Sequence, residues 1–320
     1  MRYNIGIDLG GTNIVAGLVD EDGKILSKSG LPTLAGRPAR AIAADLAALA
    51  RDVAEKAGIS PRDANSVGVG IPGSADKTTG AVEYACNLGW HDIPLRDMLS
   101  DDLGLPVYLA NDANAAAYGE YIAGAAKGSD SFVMLTLGTG VGGGLILRGK
   151  IVEGFNSAGM EVGHMVIAKG GRPCQCGRSG CFERYASASG LILTAKEYMA
   201  RRPSSLLWDL SGGDPDKVDG RMPFDAMKQG DPTAKEIVDV YIDDLACGLT
   251  SIINILQPEI LALGGGIAAQ GETLLAPLRT IVSREVYSRT SARNTRIAAA
   301  ALGNDAGIVG AANLCGEARR

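Results

Sequence analysis

The stretch Ile5-Gly6-Ile7-Asp8-Leu9-Gly10-Gly11-Thr12-Asn13 begins the pattern from which the fold of this 320-residue chain can be inferred. It is a short apolar strand that ends in a glycine-rich turn, and a second strand is predicted at residues 14–19. A turn at residues 20–23 and a third strand from Lys24 complete the unit. This succession predicts an antiparallel hairpin at the start of an α/β domain.

The same scheme returns in the middle of the chain, with a strand at residues 132–137, the turn Gly138-Thr139-Gly140 and a strand at residues 141–147. A single turn of this kind is more often only a tight hairpin, but two copies in one chain indicate duplication. Glycine and threonine at such turns offer backbone N–H groups and a hydroxyl to phosphate oxygens. Asp8 adds a carboxylate that could hold Mg²⁺ through water, whereas Thr136 takes its place in the second copy. We therefore predict two phosphate-binding hairpins.

A third glycine cluster, Gly264-Gly265-Gly266, follows a predicted helix at residues 236–256 and a predicted strand at residues 259–263. Backbone without side chains could pass beneath a flat adenine ring at this point. A simple strand-to-helix turn explains the segment equally well when it is read alone. Both interpretations stay open from the sequence.

Asn111 and Asp112 stand between a predicted buried strand at residues 107–110 and an alanine-rich helix predicted at residues 113–126. Asn and Asp are preferred helix N-caps, which gives the pair an ordinary structural explanation. Active sites of α/β sheets also gather at the carboxyl ends of strands. Asp112 could there accept a proton from a hydroxyl that attacks a γ-phosphate, and the two roles are compatible.

Three cysteines, Cys174, Cys176 and Cys181, lie within eight residues of one another, and His164 lies ten residues upstream of the first. Three thiols and one imidazole form a closed tetrahedral set that zinc favours, so we predict a structural zinc site rather than one that activates water. Three thiols close together by chance are the alternative. Glu161 and Glu183 flank these ligands, and two carboxylates on a rigid frame suit a polyhydroxylated ligand.

The composition excludes several classes of protein. Hydrophobic residues make up 46% and charged residues 21% of the chain, as in ordinary globular proteins, and the length allows two domains. The net charge of −5 argues against nucleic-acid binding. We expect no signal peptide and no membrane span, and the clustered cysteines favour a reducing cytoplasm over a disulfide framework.

Five segments together resemble the ROK family of repressors, open-reading-frame proteins and sugar kinases, and the resemblance extends over essentially the whole chain. They are Ile7 to Asn13, Asn111-Asp112-Ala113-Asn114, Leu137 to Gly144, Glu161-Val162-Gly163-His164 and the block Cys174 to Glu183. The resemblance implies an α/β fold of the actin-like and hexokinase-like ATPases with two lobes flanking a cleft. We expect a small lobe of residues 1–113 with 303–320 and a large lobe of residues 114–302 that carries the zinc site.

The resemblance also implies roles for individual residues. Asp112 matches the catalytic base, and Asn111, Glu161, His164 and Glu183 match sugar-hydroxyl ligands. Zinc would be held by His164, Cys174, Cys176 and Cys181, so that His164 serves both zinc and sugar. The nucleotide site would comprise Asp8, Gly10, Gly11, Thr12, Asn13, Gly138, Thr139, Gly140, Gly265 and Gly266. ATP, Mg²⁺ and zinc are the implied cofactors, and a homo-oligomer (dimer or tetramer) is the implied assembly.

Among functions, phosphorylation of glucose to glucose 6-phosphate fits the resemblance best. Met160, however, precedes Glu161 where the family usually has glycine, and it could reshape the sugar pocket. An N-acetylhexosamine kinase or another hexose kinase is therefore the main alternative. A sugar-responsive regulator is disfavoured by the acidic charge and by a first strand that leaves no room for a preceding helix-turn-helix domain. A sugar-binding protein without activity would not need Asp112 together with two phosphate turns.

Overall fold

The computed structural model describes residues 2–318 and shows an α/β protein. Its strands are β1 (Tyr3–Leu9), β2 (Asn13–Asp20), β3 (Ile25–Pro32), β4 (Val67–Ile71), β5 (Ser74–Ala75), β6 (Val82–Ala85), β7 (Trp90–Ile93), β8 (Val107–Asn111), β9 (Ser131–Leu137), β10 (Val141–Leu147), β11 (Lys150–Ile151), β12 (Ile260–Gly264) and β13 (Arg296–Ala299). Its helices are α1 (Ala39–Lys56), α2 (Leu95–Leu103), α3 (Asp112–Ala123), α4 (Glu183–Ala186), α5 (Ala188–Met199), α6 (Leu207–Leu210), α7 (Met222–Lys228), α8 (Pro232–Leu256), α9 (Glu272–Glu285) and α10 (Ala306–Glu317). None of the helices in residues 2–318 combines the length and the apolar composition that a bilayer span requires.

The two predicted hairpins belong to two five-stranded sheets that have equivalent strand orders. The first sheet has the strand order β3-β2-β1-β4-β8, and the second has the order β11-β10-β9-β12-β13. In each, three strands that are consecutive in the chain are followed by two strands from later segments. The α/β class and the duplicated hairpin predicted from the sequence are confirmed.

The first sheet combines both pairing modes. β1 pairs antiparallel with β2 and parallel with β4, which in turn pairs parallel with β8. Every residue of β4 is buried, as expected for a central strand covered on both faces. Because β1 and β8 flank the same strand in parallel, their carboxyl ends, with Asp8 and Asn111, lie at one edge of the sheet.

The last helix, α10, packs through small residues at backbone distance. A side chain added at Gly310 would stand 1.7 Å from the carbonyl oxygen of Ala115 in α3, and one at Gly6 of β1 would stand 1.9 Å from the carbonyl oxygen of Ile308. Such distances leave no room even for a methyl group. The small residues of α10 allow this close packing, which fixes α3 and the first sheet against one another.

The chain forms two compact units. Unit 1 comprises the residues up to Met134, Gly144–Met160 and the residues from Ala300 onward, and unit 2 comprises Leu135–Gly143 and Glu161–Ala299. The expected lobes, divided at residue 113, differ from these units because α3 and the segment 144–160 belong to unit 1. The reason is that α3 contacts the backbone of α10 and that Gly144 packs closely against α3, and no local pattern in the sequence reports either contact. Residues 1, 319 and 320 of the expected small lobe lie outside the described residues.

A buried carboxylate in unit 1 holds the segment that leads into α10. Glu120 of α3 is 0% exposed and accepts hydrogen bonds from three backbone N–H groups, at 2.7 Å from Ala125, 2.9 Å from Ala301 and 2.6 Å from Leu302. Hydrogen bonds to a charged acceptor are stronger than those between neutral groups. Here they satisfy three backbone N–H groups that lie outside regular helices and strands. Glu120 therefore ties the end of α3 to residues 301–302.

We predict that Glu120→Gln lowers the stability of the fold. An amide offers one acceptor oxygen in place of two, and its NH₂ group faces N–H donors, so at least one buried donor is left unsatisfied at a cost of about 1–3 kcal/mol. Thermal unfolding followed by circular dichroism should show a midpoint several degrees below that of the unchanged protein. Glu55→Gln, at an exposed position of α1, is the matched control and should leave the midpoint unchanged. Equal midpoints for both variants would contradict the role given to Glu120.

Candidate active site

The first glycine-threonine turn, between β1 and β2, is held by Thr33. The turn closes through the Gly10 N–H, which donates to the Asn13 carbonyl at 2.9 Å. Thr33 donates its hydroxyl to the Gly10 carbonyl at 2.6 Å and its N–H to the Thr12 carbonyl at 2.8 Å. Thr33 is 0% exposed, and the sequence analysis did not single it out. A threonine immediately after a strand carries no signal of this role until the strands are paired.

Asp8 lies next to this turn at the end of β1. Burial raises the pKa of its carboxyl, and the positive charge of Lys28 opposes that shift. A burial-raised pKa means that the ionised carboxylate lacks full compensation, so a cation beside it would be stabilising. The carboxylate oxygen is the ligand type that Mg²⁺ prefers. Asp8 therefore fits the predicted magnesium role, directly or through water.

Asn111, and not Asp112, provides the side-chain cap of α3. The Asn111 side-chain oxygen accepts from the N–H groups of Ala113 at 2.9 Å and Asn114 at 3.2 Å, and its amide donates to the Gly73 carbonyl at 3.2 Å. Asp112 is the first residue of α3, and its Oδ1 accepts from the Ala113 N–H at 2.8 Å. Asn111, and not Asp112, is therefore the N-cap residue of α3. Asp112, as the first residue of α3, stands at the junction of β8 and α3.

A second, half-buried carboxylate, that of Glu153, lies near the first turn of α3 and was missed by the sequence analysis. Burial raises the pKa of Glu153, while Lys77, with its ammonium 2.7 Å from the carboxylate, opposes that shift. The Asn114 amide is 3.5 Å from the other carboxylate oxygen. Glu153 also accepts the Gly159 N–H at its backbone carbonyl, 2.7 Å away, which closes the loop that precedes Glu161. No motif marks it, because its partners come from distant segments.

In unit 2, the second glycine-threonine turn lies beside the third glycine cluster. The turn between β9 and β10 closes with the Gly138 N–H donating to the Gly140 carbonyl at 3.0 Å. Gly265 has a φ of 85°, and a side chain added there would stand 2.6 Å from the carbonyl oxygen of Leu137, the residue before the turn. Gly266 follows and precedes a short 3₁₀ helix, Ile267–Gln270. Two of the segments predicted for the nucleotide are therefore in direct contact.

The four predicted zinc ligands come together in unit 2. One ligand atom from each of His164, Cys174, Cys176 and Cys181 can be chosen so that all four lie within 4.8 Å of one another. The His164 Nδ1 is 3.7 Å from the Cys174 Sγ, and the Cys176 Sγ is 3.6 Å from the Cys181 Sγ. Gly177 and Gly180 have φ values of 88° and 83°, which is the sharp backbone course expected for them. The predicted grouping is confirmed, and Cys86, Cys247 and Cys315 are not part of it.

The cluster has the dimensions of a tetrahedral zinc site. A zinc ion with Zn–S bonds of about 2.3 Å separates its sulfur ligands by about 3.8 Å, close to the 3.6 Å between the sulfur atoms of Cys176 and Cys181. Burial raises the pKa of the Cys181 thiol to about 12, so this thiol would ionise only with a cation beside it. A zinc ion would supply that charge. Coordination through Nδ1 would leave the Nε2–H of His164 as a donor for a ligand.

Glu161 and Glu183 flank the cluster as the sequence predicted. Glu161 is exposed and precedes the 3₁₀ helix Val162–His164, and its carbonyl accepts the His164 N–H at 3.0 Å. Glu183 is the first residue of α4, two residues after Cys181, and its Oε2 accepts the Val141 N–H at 3.1 Å. One carboxylate is thus open to solvent, and the other reaches the end of the glycine-threonine turn.

Arg172 holds the cysteine loop in place and was also missed. Its guanidinium donates to the Arg184 carbonyl at 3.0 Å, to the Thr194 hydroxyl at 3.0 Å and to the Glu197 carboxylate at 2.7 Å. It also lies over the ring of Tyr185, 4.9 Å from the centroid. These contacts attach the loop to α4 and α5 independently of any metal. An arginine beside a cysteine motif is too common for sequence to identify this role.

The ROK family model matches residues 4–318. The chain belongs to the ROK family. A glucokinase from Thermotoga maritima is 41% identical over 98% of this chain and 97% of its own length, and a glucokinase from Streptomyces coelicolor is 36% identical over 99% and 98%. The crystal structure of a ROK family glucokinase from Streptomyces griseus, in complex with glucose and AMPPNP, superimposes with a TM-score of 0.82 at 36% identity, covering 98% of both chains.

The site residues predicted for this ROK protein are divided between its two units. Unit 1 carries Asp8, Gly10, Gly11, Thr12, Asn13, Asn111 and Asp112, and unit 2 carries Gly138, Thr139, Gly140, Glu161, His164, Cys174, Cys176, Cys181, Glu183, Gly265 and Gly266. Within unit 2, the metal cluster, Glu183 and the second turn form a continuous set. Their assignment to nucleotide, sugar and metal stays a prediction.

We predict one tightly bound zinc ion per chain. Metal analysis of the purified protein should find zinc at close to one equivalent, and a chelator should lower its thermal unfolding midpoint, because a metal that binds only the folded state stabilises it. Cys176→Ala should lose the zinc. Cys247→Ala, which changes an exposed thiol outside the cluster, is the matched control and should retain it. A protein purified without chelator that holds no zinc, or full zinc content in Cys176→Ala, would contradict the assignment.

Proposed function

We propose that this chain is an ATP-dependent sugar kinase that phosphorylates the 6-hydroxyl of a hexose, with glucose as its preferred sugar. The observation that carries the proposal is the position of Asp112. Its carboxylate lies at the carboxyl end of a parallel strand, where Asn111 has taken over the capping of α3. Two glycine-threonine turns suited to phosphate accompany it in the chain.

The relatives support the same activity. Proteins named glucokinase match over nearly their full length at 36–41% identity, and the superimposed Streptomyces griseus enzyme is in complex with glucose and AMPPNP, an analogue of ATP. A match over the whole chain carries more weight than a shared fold, because one fold can host many functions. The residues named below are proposed for this chain on that basis.

The transfer requires little covalent chemistry from the protein. The Asp112 carboxylate takes the proton of the sugar 6-hydroxyl as the oxygen's lone pair forms a bond to the γ-phosphorus. The bond from the γ-phosphorus to the bridging β–γ oxygen breaks, and its electron pair stays on the leaving ADP. The protonated Asp112 then returns its proton to solvent. Direct transfer needs no covalent enzyme intermediate.

The sugar is proposed to be held by Asn111, Glu161, His164 and Glu183. Zinc, bound by His164 and the three cysteines, would have a structural role that fixes the imidazole so that its Nε2–H points to a sugar hydroxyl. The nucleotide is proposed to lie on the turns at Gly10–Asn13 and Gly138–Gly140 and against Gly265 and Gly266. Mg²⁺, held through Asp8, supplies charge neutralisation at the phosphates when bound.

An N-acetylhexosamine is the second sugar class to be tested, and Met160 is the observation that favours it. Met160 has a φ of 66°, a backbone conformation that few residues other than glycine adopt, and it directly precedes Glu161. Its side chain adds bulk next to a proposed sugar ligand. A pocket altered at this position could accept a different substituent on the sugar.

We further propose that the protein works in a reducing cytoplasm as a homo-oligomer, either a dimer or a tetramer. A set of three reduced thiols around zinc is suited to a reducing compartment. The regulator class is disfavoured because the net charge of −5 opposes binding to DNA.

We predict that Asp112→Asn leaves a folded protein that binds sugar but turns over slowly. Removing a general base costs on the order of 10²–10⁴ in kcat, whereas the amide retains the shape of the side chain. The measurement is ADP release in a coupled assay, with sugar affinity determined separately by calorimetry. Asp101→Asn, at an exposed position of α2, is the control and should keep the unchanged rate. Turnover by Asp112→Asn within a few-fold of the unchanged protein would refute the proposed base.

We predict that glucose gives the highest kcat/KM in a panel that includes mannose, N-acetylglucosamine and N-acetylmannosamine. A polar group that the bound sugar covers but leaves without its hydroxyl partner costs roughly 1–3 kcal/mol, so a sugar altered at C2 should lose about 5- to 150-fold in kcat/KM. The coupled assay at several sugar concentrations measures these ratios. A higher kcat/KM for an N-acetylhexosamine would assign the chain to that sugar class while leaving the kinase reaction in place.

A further inference from the structure

Glu183 joins the proposed sugar site to the second glycine-threonine turn. Its Oε2 accepts a hydrogen bond from the Val141 N–H at 3.1 Å, and Val141 directly follows Gly138-Thr139-Gly140. Both partners belong to unit 2. A single hydrogen bond therefore connects a carboxylate proposed to bind sugar with the backbone proposed to bind nucleotide.

The contact depends on the absence of a side chain at Gly140. A Cβ built there would stand 2.3 Å from the Glu183 Oε2 and 3.2 Å from its Cδ. Alanine at this position would displace the carboxylate. Gly138, at the other end of the same turn, has no heavy atom within 4 Å of an added Cβ, so alanine there would fit. Alanine is therefore tolerated at Gly138 but not at Gly140, two residues later.

A second contact holds the same turn from the same segment. The Ala188 N–H, in the first residue of α5, donates to the Gly138 carbonyl at 2.9 Å. The segment itself is well anchored, since Cys181 and Phe182, immediately before Glu183, are both 0% exposed. The turn is therefore fastened at both ends by residues 183–188. Of these two hydrogen bonds, the one that Glu183 accepts is charge-assisted, and hydrogen bonds of that kind are the stronger ones.

We infer that Glu183 is a positioning residue for the nucleotide turn as well as a sugar ligand, so that sugar and nucleotide each strengthen the binding of the other. The inference rests on the proposed function. The Oε2 of Glu183 keeps its hydrogen bond with the Val141 N–H, and Oε1 is left to accept a sugar hydroxyl. A sugar that fixes the carboxylate in this orientation also fixes the turn, and the nucleotide then meets backbone that is already ordered. Coupling of this kind is reciprocal in binding free energy.

The first experiment measures nucleotide binding in the absence of sugar. Calorimetry with Mg²⁺ and AMPPNP would compare the unchanged protein with Glu183→Ala, Glu183→Gln and Glu161→Ala. We expect Glu183→Ala to bind at least about fivefold more weakly, at the lower end of couplings between sites. Glu183→Gln should stay within about twofold, because its amide oxygen can still accept the Val141 N–H. Glu161→Ala, which removes the other proposed sugar carboxylate, should leave nucleotide affinity unchanged.

The second experiment approaches the same contact from the turn. Calorimetry with glucose in the absence of nucleotide would compare Gly140→Ala with Gly138→Ala. We expect Gly140→Ala to weaken glucose binding by at least about fivefold, because the added methyl group displaces the Glu183 carboxylate. Gly138→Ala should bind glucose as the unchanged protein does. A purely structural effect of altering the turn would affect both variants, so the difference between them reports on Glu183.

The third measurement is the coupling itself. Glucose should tighten AMPPNP binding in the unchanged protein, and this effect should disappear in Glu183→Ala. Equal nucleotide affinity in Glu183→Ala and the unchanged protein, or equal glucose affinity in the two glycine variants, would overturn the inference and leave the kinase proposal standing. An unchanged protein that binds neither glucose nor AMPPNP would overturn the proposed function as well.

Discussion

The hydrogen bond between the Glu183 carboxylate and the Val141 N–H is the interaction around which the candidate site in unit 2 is arranged. The carboxylate reaches Val141 only because Gly140 has no side chain. Glu183 directly follows the buried Phe182 and Cys181, and Cys181 is itself one of the four members of the ligand cluster. A displacement of Cys181 should therefore be passed through Phe182 and Glu183 to the glycine-threonine turn.

In the proposed function, the cysteine cluster would have a role beyond stability. A closed four-ligand zinc site has no open position for a substrate, so it contributes by orienting the groups around it. His164 and Glu183 are such groups, and Arg172 attaches the same loop to α4 and α5 through three carbonyl and side-chain acceptors. Precise placement matters in phosphoryl transfer, where positioning and electrostatics provide most of the catalysis.

The constraint in unit 1 is different: α10 packs directly against the backbone of β1 and α3. Methyl groups at Gly6 or Gly310 would collide with carbonyl oxygens, so the helix can lie against β1 and α3 only with glycine at these positions. Glu120 then holds the segment that leads into α10, because it accepts the N–H groups of Ala301 and Leu302 as well as that of Ala125 at the end of α3. These contacts give rigid support to α3, and Asp112 is the first residue of this helix. The proposed base thus depends on contacts made at the far end of its own helix.

The sequence by itself determined the α/β class, the duplicated hairpin and the four members of the metal cluster, because each of these follows from local spacing. Its motifs also resembled those of the ROK family. Repeated strand–turn–strand patterns and cysteine intervals are short-range features that need no tertiary partner to be recognised. Only the tertiary structure decided that Asn111 caps α3, that α3 and residues 144–160 belong to unit 1, and that Gly265 lies against Leu137. It also identified Thr33, Glu120, Glu153 and Arg172, whose roles arise from partners far away in the chain. The bond from Glu183 to Val141 spans 42 residues, and no periodicity or motif can report a contact that exists only after both segments have folded.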